Sequence, residues 1–135
     1  MRPMTRAEII DFLNYYTWGT LIGVEPDGQP YAVELSYGFD GEHIYCGSRP
    51  GGRMARCIRN NSRIAFKVCD SDRTYARYTA VIVEARAERL TDYDQILASV
   101  RHIARQRGLN EHAFDRVADH VASDTDSNSL RIPIV

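Results

Sequence analysis

The sequence predicts a mostly β fold with flanking helices, a small barrel of six largely antiparallel strands, and three observations carry that reading. Strand-like segments recur between Gly, Pro and Asp punctuation. The turns joining the first three are too short for parallel crossovers. Closure into a barrel would leave none of these short strands with an exposed edge. With 135 residues, 44% hydrophobic and 26% charged, the chain suffices for one core and not for two ordinary domains. Residues 1–135 are therefore expected to form a single domain.

Thr5, three before Glu8, is a capping-box pattern, and Ile9, Ile10, Leu13 and Tyr16 follow it at helical spacing. Residues 17–24 read as a strand, Pro26-Asp27-Gly28 as its turn, and residues 30–37 as the next strand. There Val33, Leu35 and Tyr37 share one face, and Ala32, Glu34 and Ser36 the other. Asp40-Gly41 is a second turn, and residues 43–47 are a third strand. A short helix over 53–60 turns Met54, Cys57 and Ile58 inward and Arg53, Arg56 and Arg59 outward. Residues 63–68 are a fourth strand, and a long fifth one runs from about Tyr75 to Leu90. Thr91-Asp92 caps a helix with Ile96, Leu97, Val100, Ile103 and Ala104 on its apolar face, ending near Gly108. Asn110 is expected to cap one more helix, carrying His112 and His120. Residues 123–129 read as a polar loop and 130–135 as the last strand.

Several functions find no support. A net charge of −1 gives no electrostatic reason to bind nucleic acid. No apolar run approaches the roughly 20 residues that cross a bilayer, and Asp11 and Asn14 break the N-terminal segment, so neither a membrane nor a signal peptide is indicated. Cys46, Cys57 and Cys69 form no paired framework and read as buried or half-buried thiols in a reducing cytoplasm. The four histidines are scattered and read as surface residues, with no metal-site spacing. Nor can a Ser-His-Asp or Cys-His set be assembled. Glu34, in an otherwise apolar strand, needs a partner if buried.

The segment Tyr45-Cys46-Gly47-Ser48-Arg49-Pro50-Gly51-Gly52-Arg53-Met54 carries the most chemistry. A strand enters a glycine-rich turn and then a helix that starts with arginine. Backbone N–H groups of such a turn, together with the helix N-terminus, suit a phosphate. Ser48 would add a hydroxyl, and Arg53 a bidentate contact. The same pattern also serves as a plain connection without ligand.

From Trp18-Gly19-Thr20-Leu21 through Asp27-Gly28-Gln29-Pro30-Tyr31-Ala32-Val33, Tyr37-Gly38-Phe39-Asp40-Gly41, Ile44-Tyr45-Cys46-Gly47-Ser48, Gly52-Arg53 and Asn60-Asn61-Ser62-Arg63-Ile64-Ala65-Phe66, the chain resembles a known superfamily. It is the flavin-binding split-barrel superfamily that includes pyridoxamine 5′-phosphate oxidase. The nearest look is to the small nitroimidazole-resistance-type flavoproteins. The resemblance implies a six-stranded split barrel of FMN-binding type, a homodimer with the cofactor cleft between subunits, and a small-molecule substrate. It places the flavin ring against Val33, Glu34, Leu35 and Ser36. It places the phosphate along Cys46, Gly47, Ser48, Gly52, Arg53 and Met54. Trp18, a core or interface aromatic on its own evidence, would join Tyr31 and Tyr37 toward the second subunit. Gly47 stands where the nitroimidazole-reductase-like members carry histidine, and Met54 where many members carry lysine.

The implied activity is an FMN-dependent oxidoreductase taking electrons from a reduced nicotinamide to a small organic acceptor. Two alternatives stay open: a flavin- or ligand-binding module without turnover, and a split barrel that uses haem or a deazaflavin.

Overall fold

In the computed structural model, which describes residues 2–74 and 76–135, the elements run α1 (Arg6–Tyr15), β1 (Trp18–Val24), β2 (Pro30–Ser36), β3 (Gly38–Phe39), β4 (His43–Ser48) and α2 (Arg53–Asn60). They continue through β5 (Arg63–Ser71), β6 (Tyr78–Arg86), β7 (Glu88–Arg89), α3 (Tyr93–Gln106), α4 (Asp115–Ser123) and β8 (Asn128–Pro133). The strands form two antiparallel four-stranded sheets, ordered β2-β1-β5-β6 and β3-β4-β8-β7.

The expected six strands are thus eight strand segments. Six are long, and β3 and β7 are two residues each. β3 was hidden because Tyr37 interrupts the strand: its buried ring turns into the core, and its hydroxyl donates to the Leu13 carbonyl at 2.7 Å. The long fifth strand breaks at Ala87, whose N–H leaves the β6 ladder to bond the Ser62 carbonyl at 2.8 Å. Its expected start, Tyr75, lies outside the described residues.

Local chemistry sets most boundaries. The capping box on α1 forms in both directions, with Glu8 N–H donating to Thr5 Oγ1 at 3.2 Å and Thr5 N–H to Glu8 Oε1 at 3.0 Å. Asp92 caps α3 by accepting from Gln95 N–H at 3.1 Å. The last helix starts at Asp115 rather than after Asn110. Bonds of i→i+3 type, Ala113 N–H to Asn110 O at 2.9 Å and Asp115 N–H to His112 O at 3.2 Å, spend the intervening residues in turns. His112 therefore precedes α4.

The main core fills the space between the sheets, with Leu21, Tyr37, Ile44, Phe66 and Ile132 among its buried side chains. A second cluster of Tyr45, Leu90, Ile96, Val100 and Ala118 seats α3 and α4 against the β4–β8 sheet. Helix α3 lies so close to β3 that a Cβ on Gly38 would fall 2.5 Å from the His102 carbonyl carbon. His102 itself is half-buried, stacked on the Tyr45 ring at 4.9 Å, rather than a surface residue. Gln106 ties α3 to α1 by donating its amide to the carbonyls of Leu13 and Tyr16, at 2.7 and 2.8 Å.

The outer face of the β2-β1-β5-β6 sheet stays open. Register places Thr20 beside Glu34 and Lys67, and Lys67 beside Ile82. Trp18 shares this face at 57% exposure, so it is no core residue. Cys69 is exposed, whereas Cys46 and Cys57 are buried.

Candidate functional site

Strand β4 delivers its residues to the site by alternation. The side chain of Cys46 points inward, 1% exposed, and burial pushes its thiol up to about 12. It is inert toward a ligand. Gly47 points outward, and a Cβ there would meet the Asn128 carbonyl oxygen at 3.4 Å, an ordinary contact. Ser48 Oγ accepts from Asn128 Nδ2 at 2.6 Å, across the β4–β8 pair.

The turn after β4 requires glycine at Gly51, where φ is +63°. Gly51 N–H donates to the Asp126 carbonyl at 2.8 Å, and Gly52 N–H to the Arg49 carbonyl at 3.1 Å. Gly52 begins α2 with no side-chain cap, so no capping side chain meets the first-turn N–H groups of the helix, which carry its partial positive charge. Arg49 stands beside them with no carboxylate partner among the described residues. This donor set suits an anion.

Arg53 is differently employed. Its guanidinium donates to both Glu25 oxygens, at 2.8 and 2.7 Å, and stacks 4.1 Å from the Tyr31 ring centroid. The pairing holds the Glu25 carboxyl below its ordinary range. Arg59 also is spoken for: it reaches Asp126 Oδ1 at 3.1 Å and the Thr125 carbonyl at 2.5 Å. Met54 is buried, and a Cβ on Gly23 would sit 3.1 Å from its sulfur.

On β2, Val33 and Leu35 pack against the core, while Glu34 and Ser36 face the other way. Glu34 is exposed and accepts from the Thr20 hydroxyl directly across the strand pair.

Ser36, Gly47 and Ser48 meet at one cavity of about 320 Å³, bordered by α3, α4 and the start of β8. Those three are the predicted residues that the cavity gathers; Glu34 and Arg53 stand outside it, and the side chains of Cys46 and Met54 are in the interior. The cavity adds Ser99, Arg107, Asn128 and Ser129, none singled out by the sequence. Ser99 Oγ and Asn128 Oδ1 are buried there without hydrogen-bond partners. Ser99 reads in sequence as an ordinary polar helix residue. Asn128 fell within the expected polar loop, and only its pairing with Ser48 brings it into a strand. Among the described residues, no three His, Cys, Asp or Glu side chains converge as a metal site would need. No helix among them is long and apolar enough to cross a membrane.

The family model described as pyridoxamine 5′-phosphate oxidase matches residues 5–135. A conserved hypothetical protein of Mycobacterium tuberculosis is 27% identical, with TM-score 0.81 over 98% of this chain and 81% of its own. A FAD-binding protein of Mesorhizobium loti is 28% identical, with TM-score 0.65 over 98% of this chain and 90% of that one. Two others share the fold at lower identity. A putative 5-nitroimidazole antibiotic resistance protein of Bacteroides thetaiotaomicron has 13% identity and TM-score 0.80, covering 99% and 82% of the two chains. A haem storage protein of Vibrio cholerae has 18% identity and TM-score 0.67, covering 96% and 89%. No curated protein matches the chain. The two sheets, the open turn into α2 and the match over residues 5–135 make one assignment: the chain belongs to the pyridoxamine 5′-phosphate oxidase family of split barrels.

Proposed function

We propose that this protein is an FMN-binding oxidoreductase that works as a homodimer, passing electrons from a reduced nicotinamide to a small organic acceptor. The observation that carries the reading is the uncapped start of α2, joined by a short glycine-rich turn to Ser48 on the lining of a cavity, in a chain of this family. The FAD-binding relative, 28% identical, supports flavin as the cofactor class. Bound there, a flavin would supply the hydride-accepting and electron-donating chemistry.

The chain's own residues bind and orient. First-turn N–H groups of α2, the Ser48 hydroxyl and Arg49 meet the phosphate. Arg53 lends its charge from within the Glu25 pair. Glu34 and Ser36 present the polar face of β2 to the ring. Gly47 brings no proton donor, and its bare backbone leaves space beside the strand. Among the described residues, no histidine of this chain lines the cavity.

The homodimer reading rests on the open sheet face. Trp18, Tyr78 and Ile82 are 57%, 58% and 59% exposed on that one face. Exposed aromatic and branched apolar groups grouped in this way mark interaction surfaces.

The visible spectrum of the purified protein is the test. Flavin bands, followed by oxidation of NADH or NADPH with a generic acceptor, are expected. A Soret band would overturn the cofactor. Flavin bands without turnover would reduce the protein to a binding module. Sedimentation at tens of micromolar is expected to give a dimer, and a clean monomer would refute that part.

A further inference from the structure

The first residues of α2 use their donors unequally. Among the described residues, the backbone N–H groups of Arg53, Met54 and Ala55 meet no acceptor, whereas the Arg53 side chain is engaged twice over. Its Nε and Nη2 donate to Glu25 at 2.8 and 2.7 Å, and its guanidinium lies 4.1 Å from the Tyr31 ring centroid. Both partners belong to the β1–β2 hairpin, not to the turn between β4 and α2. Arg53 is also absent from the lining of the cavity that Ser48 borders. The cation on the first residue of α2 is thus held on the hairpin, and its charge is cancelled there.

Three features make this a seat that the guanidinium can leave. The pair is partly open to water, with side chains 46% exposed on the arginine and 24% on the glutamate, and such pairs are weakly held. Arg56 also bears on the Glu25 carboxyl, so Glu25 keeps a cationic neighbour when Arg53 departs. An arginine at the first helical position carries a side chain long enough to fold back over its own helix end, where the N–H groups and the dipole favour an anion. The contest there is unequal in charge. A phosphate monoester carries about two negative charges at neutral pH, against one on Glu25.

We propose that Glu25 sets the affinity of the α2 turn for a phosphate monoester by competing for Arg53. In the free protein Glu25 holds the guanidinium against Tyr31, and a bound phosphate draws it away. Glu25 touches no ligand; it is a positioning residue that acts through Arg53. A flavin with a terminal phosphate gains from the release, and a flavin without one does not. This role rests on the flavin site proposed above and adds to it a built-in brake.

Titrations of the flavin-free full chain with FMN and with riboflavin test this role, on wild type, Glu25→Gln, Arg53→Ala and the double variant. Glutamine keeps the size of glutamate and loses its charge. Glu25→Gln should bind FMN about fivefold more tightly, the scale of one exposed ion pair. Riboflavin, which lacks the phosphate, should bind wild type and Glu25→Gln alike. In the Arg53→Ala background, Glu25→Gln should change FMN affinity by less than about twofold, because no guanidinium remains to be released. An equal gain in both backgrounds would make Glu25 a mere nearby negative charge, and would overturn the proposal. So would unchanged or weaker FMN binding by Glu25→Gln beside a wild type that binds, since Glu25 would then hold Arg53 in its working position. Absence of saturable FMN binding by wild type and Glu25→Gln alike would instead refute the flavin site itself, and the brake with it.

Discussion

The turn into α2 and the α3–α4 flank border the same cavity, and they treat their polar groups in opposite ways. Around α2 the arginines are engaged: Arg53 with Glu25, Arg59 with Asp126, and Arg56 with the Gly51 carbonyl at 3.1 Å. Across the cavity, Ser99 Oγ on α3 and Asn128 Oδ1 on β8 have no hydrogen-bond partner among the described residues, and Arg107 has no carboxylate, although Arg101 and Arg105 of the same helix are paired. Residue type alone therefore misleads. Arginines that look like anion ligands serve partly to hold the turn in place. A serine and an asparagine that look incidental carry the unspent hydrogen-bonding capacity.

The two regions should also differ in how they tolerate added volume. At Gly38 a Cβ would collide with α3 backbone, 2.5 Å from the His102 carbonyl carbon and 2.6 Å from Ile103 N. Gly38→Ala should cost about 3 kcal/mol, the upper range for overpacking, because a helix must move. At Gly23 the nearest obstacle is the Met54 sulfur, at 3.1 Å on a flexible side chain. Gly23→Ala should cost about 1 kcal/mol or less. Urea denaturation of both variants measures the gap, and equal losses would mean that α3 is as yielding as Met54.

Gly47 offers a gain-of-function contrast. Its outward position leaves 3.4 Å to the nearest atom for a Cβ, so Gly47→His should fold. With FMN loaded, wild type should reduce a nitroimidazole slowly. A histidine acting as general acid should raise turnover by about a hundredfold, at the low end of such catalysis. Brisk wild-type turnover, unchanged by the substitution, would remove Gly47 from the account.

A smaller effect separates the regions by pH. Burial, with help from Arg105, lowers the pKa of His102 on α3. The unfolded chain therefore binds a proton there more readily than the folded one. Stability contributed by this group is present above its unfolded pKa of about 6.5 and falls as pH drops below it. His102→Gln should flatten that part of a Tm-against-pH profile. An unchanged slope would place the titration elsewhere.

The fold was largely legible because local rules were obeyed. Thr5 with Glu8, Asp92 before α3 and the Pro26-Asp27-Gly28 turn each announce an element that the structure contains. Failures came where a distant group decided the outcome. Tyr37 leaves its strand for the Leu13 carbonyl, and Ala87 leaves its ladder for Ser62. The site was legible at Ser36 on β2 and along β4. Gly47 and Ser48, at the end of β4 where the strand enters its glycine-rich turn, both line the cavity, whereas Arg53 is turned aside by Glu25, a partner 28 residues earlier whose proximity no local pattern encodes. Ser99 and Asn128 matter only because a packed flank seals them in.

The central claim is that the turn into α2 holds a flavin phosphate, and an FMN titration of flavin-free protein, followed by fluorescence quenching, tests it most directly. Arg53→Ala should weaken binding about tenfold, the scale of one charged hydrogen-bonding group. Arg105→Ala, which removes a comparably exposed Arg–Glu pair on α3, should change nothing. Equal effects of the two substitutions, or no saturable FMN binding by the wild-type chain, would contradict the account.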